Sequence, residues 1–502
     1  MKYWGSILLI AISAGGFYGA GRLNEPLRDA RRQYGITQAD PLVNAPPLVA
    51  FTTVALGGFR GIVADLLWLR SARLQEEGRY FELVQLADWI TKLEPRFTSV
   101  WAYHAWNLAY NISVLLDRPE ERWRWVRHGI SLLRDEGLRY NPGEARLLYE
   151  LGWLFQHKVA GDLDNAHQFY KQAWAAEMAE LWEGPTPDFG NLALAAATRS
   201  DLLQRPGVAD LVARMQAAGR DPFSFGRIAE ARVAPATDLL RTAAGRELVD
   251  HLRRRLIEDR YKLDPLVMRE IDARYGPLDW RLPQAHAIHW AWLSRQAARR
   301  EFDQLSAERM VFQSLADAFR QGSLYTDPAR GLFIISPNPA LTPRVQAAYE
   351  EALEKFPDNE SIQTAHANFL REATVIRYTF NQVVEARALF IELRARYPGQ
   401  APEAQFERFV QSQFIQRQDQ MGLNDARAII EGALFQSEFW RTVGDLERAA
   451  GFGGLARLTW ERFTARAAGS PDVEMRLALP PLDELRRLAR ERVSGEMGRF
   501  DW

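Results

Sequence analysis

The chain has 502 residues, with 63 Lys and Arg against 64 Asp and Glu, a formal net charge of −1. This balance excludes nucleic-acid binding that relies on bulk positive charge. An apolar share of 47% and a charged share of 25% belong to a folded chain, not a disordered one. There is no cysteine, which rules out disulfides, thiolate zinc sites, iron–sulfur clusters and cysteine nucleophiles.

Residues 3–21, YWGSILLIAISAGGFYGAG, form an uncharged run between Lys2 and Arg22. Nineteen residues at ~1.5 Å rise cover about 28 Å, the thickness of the bilayer hydrocarbon. Tyr3 and Trp4 stand where interfacial aromatics belong. A single uncleaved transmembrane helix is therefore expected within a 1–36 segment. The rival reading, a cleaved signal peptide, wants an A-x-A site after the apolar stretch, and none is present. Ala11, Gly15 and Gly19 recur every four residues and offer one small-residue face, so self-association through the anchor is expected. Lys2 places the N-terminus inside, whereas Arg22, Arg28, Arg31 and Arg32 argue the reverse. The short Met-Lys leader tips the expectation toward the inner membrane of a bacterium with the body in the periplasm. Only six of the 63 basic residues are Lys, a skew that suits a GC-rich bacterial genome.

Residues 46–59, PPLVAFTTVALGGF, are apolar but too short to span. They read as a buried first helix or a surface-lying segment. Residues 37–183 then read as Trp-rich helical hairpins punctuated by proline, which cannot donate the next backbone hydrogen bond. The pairs are 60–76 with 80–93, 98–115 with 119–139, and 144–158 with 163–180. Residues 184–282 are less regular, with Pro185, Pro187, Pro206 and Pro222 breaking helices; 246–260 and 264–275 keep a helical pattern. Repeat-like spacing returns over 283–450, interrupted by a non-helical loop at 323–343 that holds four prolines. Loops of that length inside a helical array are unusual and often functional. Residues 451–502 are expected to cap the array, with an amphipathic helix over 482–493.

The spacing Leu148, Leu151, Gly152, Phe155, then Ala166, Tyr170, Ala173 resembles the tetratricopeptide repeat (TPR) family, whose pattern is W-x2-LG-x2-Y, A-x3-F-x2-A, P. Partial matches are Gly78, Tyr80, Leu93 and Pro95; Tyr349, Ala352 and Pro357; and Ala386, Phe390, Leu393 and Pro398. The resemblance covers about half the chain. Its repeats are longer than the ~34 residues of the family, so the array is divergent. The resemblance implies an all-α solenoid of TPR-like hairpins that binds protein partners along a concave face. Mapped onto the best repeat, the groove-facing residues are Arg146, Tyr149, Trp153 and Gln156. The Lys and Asn clamp that grips a chaperone's C-terminal carboxylate is not found there.

Nine of the 16 Trp lie between Trp68 and Trp182. They read either as an aromatic groove for a peptide or glycan or as large rings filling gaps between long helices. His286 and His289 stand three apart without a third ligand and read as core residues; His157 and His167 bracket a turn. The Gly57–Gly61 run lacks the Lys-Ser/Thr of a phosphate loop. Gly451–Gly454 follows a helix instead of a strand, so it reads as helix punctuation and not a dinucleotide fingerprint. No nucleophile motif occurs, and no cofactor or metal is expected. The expected function is a non-enzymatic membrane-anchored scaffold for protein partners in assembly of an envelope complex. The alternatives are a peptide or glycan binder and a cell-wall enzyme built on a helical superstructure.

Overall fold

The computed structural model describes residues 59–182, 184–223, 242–327, 332–380, 382–401, 403–418, 423–468 and 479–498, with isolated helical positions between 13 and 30. The described residues are mostly helical. The expected span over 3–21 lies outside them except for Ser13, Gly15, Gly16, Tyr18 and Gly19; Gly15 and Gly19 are helical, and an added Cβ at either would touch nothing within 4 Å. Ala11 is not among the described residues. No helix among the described residues is long and apolar enough to cross a membrane.

The first hairpins fall where the sequence places them: α1 (Phe59–Glu76) with α2 (Tyr80–Leu93), then α3 (Thr98–Trp106) with α4 (Pro119–Ser131), then α5 (Ala145–Trp153) with α6 (His167–Ala179). Gly78, at φ 70°, makes the first turn in a left-handed conformation that other residues resist. α3, α4 and α5 each run on into a π-helical turn, at Asn107–Ile112, Leu132–Gly137 and Leu154–Val159. α6 begins four residues later than its sequence pattern, because the Asp164 carboxylate accepts a hydrogen bond from the Ala166 N–H and holds the chain in a turn there.

The irregular region folds into α7 (Phe189–Leu194), α8 (Arg199–Leu203), α9 (Val208–Ala217), α10 (Ala243–Leu256) and α11 (Pro265–Tyr275). Of these, the sequence pattern places only α10 and α11, over 246–260 and 264–275, and α10 begins three residues earlier than that pattern. Asp188, Thr198, Thr242 and Asp264 each cap with a side-chain oxygen, and Pro265 occupies the first turn where its missing N–H costs nothing.

α12 (Pro283–Ala297) and α13 (Glu301–Gln321) form the next hairpin, and α12 packs directly on α5 across this excursion. Every residue of α12 from Pro283 to Trp292 is buried, which marks a helix covered on all sides. Gly152 permits the approach. A Cβ there would sit 2.5 Å from Met310 Sδ and 3.3 Å from both the Ala287 carbonyl oxygen and the Ala291 nitrogen. One apolar core consequently runs from Trp101 to Val410. His286 and His289 belong to that core: His286 Nε2 lies 3.0 Å from the Trp280 carbonyl, and neither nitrogen of His289 has a partner among the described residues.

The 323–343 loop is not structureless. It forms an antiparallel hairpin of β1 (Ser323–Asp327) and β2 (Leu332–Ser336), in register Ser323 to Ser336. Strand alternation explains its use as a strap. Leu324 packs with Ala175 and Leu282, while the adjacent Tyr325 turns to Phe439 and Trp440, with ring centres 4.9 and 5.7 Å away.

The chain continues through α14 (Thr342–Lys355), α15 (Glu360–Thr379), α16 (Val383–Arg396), α17 (Phe406–Gln418), α18 (Leu423–Val443), α19 (Leu446–Ala468) and α20 (Leu482–Gly498). Gly451–Gly454 sits inside α19 and does not end a helix, which corrects the punctuation reading. A Cβ at Gly453 would stand 3.0 Å from Ser437 Oγ, so the glycine lets α18 and α19 close up. Of the Gly57–Gly61 run, Gly57 and Gly58 lie outside the described residues.

Candidate functional site

Tyr149, Trp153 and His157 follow one another at four-residue spacing along α5 and its π turn. Four residues overshoot one turn of an α-helix and fall short of one wider i→i+5 turn. The step from Tyr149 to Trp153 is α-helical and the step from Trp153 to His157 is π-helical, so the two errors offset and the rings stay in line. Tyr149 and Trp153 stack with centres 6.5 Å apart and planes at 16°, and Trp153 and His157 at 4.7 Å and 10°.

A second rail comes from α3. Trp106 and Tyr110, again four apart at an α-to-π junction, stack at 5.7 Å and 25°. Tyr110 Oη lies 3.0 Å from His157 Nδ1 and joins the rails. The result is a ladder of five rings, Tyr149, Trp153, His157, Tyr110 and Trp106. Trp106 is 37% exposed, and the other four are partly exposed. Burial and then the charge of Lys158 hold the His157 imidazole below its ordinary pKa of 6.5, so it is neutral near pH 7. Burial lifts the Tyr110 and Tyr149 phenols, which stay protonated as donors.

A buried ion cluster fixes the ladder from below. Lys158, 4% exposed, donates to Asp164 Oδ2 at 2.5 Å and lies 5.0 Å from the Tyr110 ring centre. Arg122 reaches the other Asp164 oxygen at 2.7 Å, and Tyr170 Oη donates to Asp164 at 3.1 Å. Burial pushes the Asp164 carboxyl up, but the bonds from Lys158 and the Ala166 N–H, with the Lys158 and Arg122 charges, hold it below the ordinary range. Two cations thus face one carboxylate under the aromatic rails.

Of the four groove residues implied by the TPR resemblance, Tyr149 and Trp153 are two of the five rings of the ladder. Arg146 is exposed and sits 3.8 Å from Glu150. Gln156 turns away from the rings toward α13, where its Nε2 is 3.5 Å from the Met310 carbonyl oxygen. His157, Tyr110 and Trp106 were not legible as partners, although the Tyr149, Trp153, His157 spacing was a usable signal. Of the other Trp between Trp68 and Trp182, Trp101, Trp123, Trp174 and Trp182 are buried, Trp68 and Trp125 are partly buried, and Trp89 is exposed. His167, the other histidine of that turn, lies 3.0 Å from Asp162. Among the described residues no group of three His, Asp or Glu is placed to hold a metal ion. No protein-family model matches the chain, and none of the curated proteins matches it.

Proposed function

We propose that this protein is a non-catalytic scaffold, a divergent TPR-like solenoid held at the bacterial inner membrane by residues 3–21. A protein partner docks on the aromatic ladder between α3 and α5. The ladder is the observation that carries this reading. Flat, partly solvated rings with phenol and indole edges suit an extended polypeptide, combining apolar contact with hydrogen bonding at small entropic cost. The stacking of hairpin α5–α6 on hairpin α12–α13 through Gly152 supports the repeat architecture. Confinement to the bilayer raises the effective concentration of partners in the same membrane, as assembly of an envelope complex requires.

Crosslinking in native membranes, followed by identification of co-purified proteins, tests this. Recovery of defined proteins by the wild type, lost on Trp106→Ala and Trp153→Ala, supports the scaffold. Recovery of the chain alone, where known complexes survive, overturns it. Saturable quenching of tryptophan emission by oligosaccharides would favour a glycan groove on the same rings. Protease access from each side of the membrane reads the orientation.

A further inference from the structure

The helices toward the C-terminus line an open cavity of about 540 Å³, within the range of small-molecule sites. Its walls come from α15, α16, α18, α19 and α20, far along the chain from the ladder. Three guanidinium groups line it, Arg441, Arg457 and Arg486, against one carboxylate, Glu461. Ser437 and Tyr378 also line it. α19 contributes Gly453 and Gly454 to the lining, and a Cβ on Gly454 would touch nothing within 4 Å.

The arginines are weakly neutralised. Arg441 stands 3.7 Å from Glu438, and Arg486 pairs at 3.2 Å with Asp483, whose side chain is 94% exposed. Arg457 has no ion-pair partner among the described residues, although Glu461 lies one turn further on the same helix. Guanidinium groups from three helices around one polar cavity suit bidentate recognition of phosphate or carboxylate. Glu461 accepts hydrogen bonds and repels an anion, so it orients the uncharged end of a ligand.

We propose that this cavity binds a small polar anion, its phosphate or carboxylate group on Arg457, Arg441 and Arg486 and a hydroxyl or amino donor on Glu461. The site is independent of the ladder. The test is isothermal titration calorimetry of the purified full-length chain with inorganic phosphate, glucose 6-phosphate, citrate and glucose at low ionic strength. At least one of the three anions is expected to bind saturably with one site per chain, and glucose is not. Phosphate and glucose 6-phosphate against citrate separate a phosphate site from a carboxylate site.

Arg457→Ala, at an exposed position, is expected to weaken binding at least tenfold with an unchanged circular dichroism spectrum. Arg457→Lys recovers part of the loss. Gly454→Leu fills the cavity and abolishes binding, while Trp153→Ala leaves it intact. Failure of all three anions to bind saturably overturns the proposal, as does binding that survives Arg457→Ala. Should Gly454→Leu fail to fold, Arg457→Ala and Arg457→Lys decide the matter.

Discussion

Acidification from pH 7 to pH 5 is expected to destabilise the core through its buried histidines. His104, His286, His289 and His366 are 3%, 1%, 0% and 0% exposed. Burial holds their folded pKa values down to about 4, 4, 3 and 4 from an ordinary 6.5. A histidine of depressed pKa stays neutral in the fold and takes up a proton on unfolding. Stability is therefore full above pH 6.5 and falls as pH drops toward the folded values. Linkage gives a loss of roughly 2 kcal/mol per histidine at pH 5, roughly 8 kcal/mol for the four. That is comparable with the whole stability of a typical domain, about 5–15 kcal/mol. Asp317 and Glu150, whose carboxyls burial raises, act in the opposite direction and reduce the net fall. A single substitution isolates the histidine effect. His289→Leu removes an imidazole with neither nitrogen partnered, so it is expected to hold stability at pH 7 and to shrink the loss at pH 5 by roughly 2 kcal/mol. Urea unfolding followed by far-UV circular dichroism at both pH values measures this. Equal pH dependence in the variant and the wild type would refute the reasoning.

Gly152→Ala is expected to cost about 1–3 kcal/mol, because the added methyl meets Met310 Sδ. Met310→Ala in the same chain relieves part of that cost, and a neutral Gly152→Ala in urea unfolding would contradict the close packing of α5 on α12 and α13. Asp164→Asn leaves Lys158 and Arg122 without their shared carboxylate and is expected to destabilise by about 3–5 kcal/mol; a thermal melt unchanged from wild type would show that the cluster is not holding the ladder. Tyr325→Ala removes the rings' contact between the β-hairpin and α18, costs about 1–3 kcal/mol, and is expected to speed limited proteolysis in the β1–β2 hairpin, where an unaltered cleavage rate would argue against the strap.

The helix order was legible wherever local chemistry sets it. Pro119 and Pro283 open helices where the spacing puts them, Gly78 turns the first hairpin and Asp264 caps at the start of the 264–275 pattern, whereas Thr242 starts its helix earlier than the 246–260 pattern. The β-hairpin was not, because its four neighbouring prolines read as a loop and the run Leu332 to Ile335 has no visible alternation. Its strand character comes from Leu324 and Tyr325 finding cores on opposite sides. Two of the five rings, Tyr149 and Trp153, are legible in the sequence. The remainder depends on α3 meeting α5, a tertiary contact that joins Tyr110 to His157 and that no local spacing announces. The TPR resemblance implies a groove position for Gln156, and helix phase alone cannot reveal that its amide turns to the Met310 carbonyl of α13. Gly451–Gly454 suggests a helix end because glycine disfavours helix interiors, whereas close approach of α18 at Gly453 outweighs that preference.

Replacement of Trp153 by a photoreactive phenylalanine, irradiated in native membranes, tests the proposed docking of a partner on the ladder most directly. The account predicts a discrete protein adduct from position 153 that disappears on Trp106→Ala and is absent when the probe stands at the solvent-facing Leu163, 82% exposed. No adduct from position 153, or the same adduct from both positions regardless of Trp106, would contradict it.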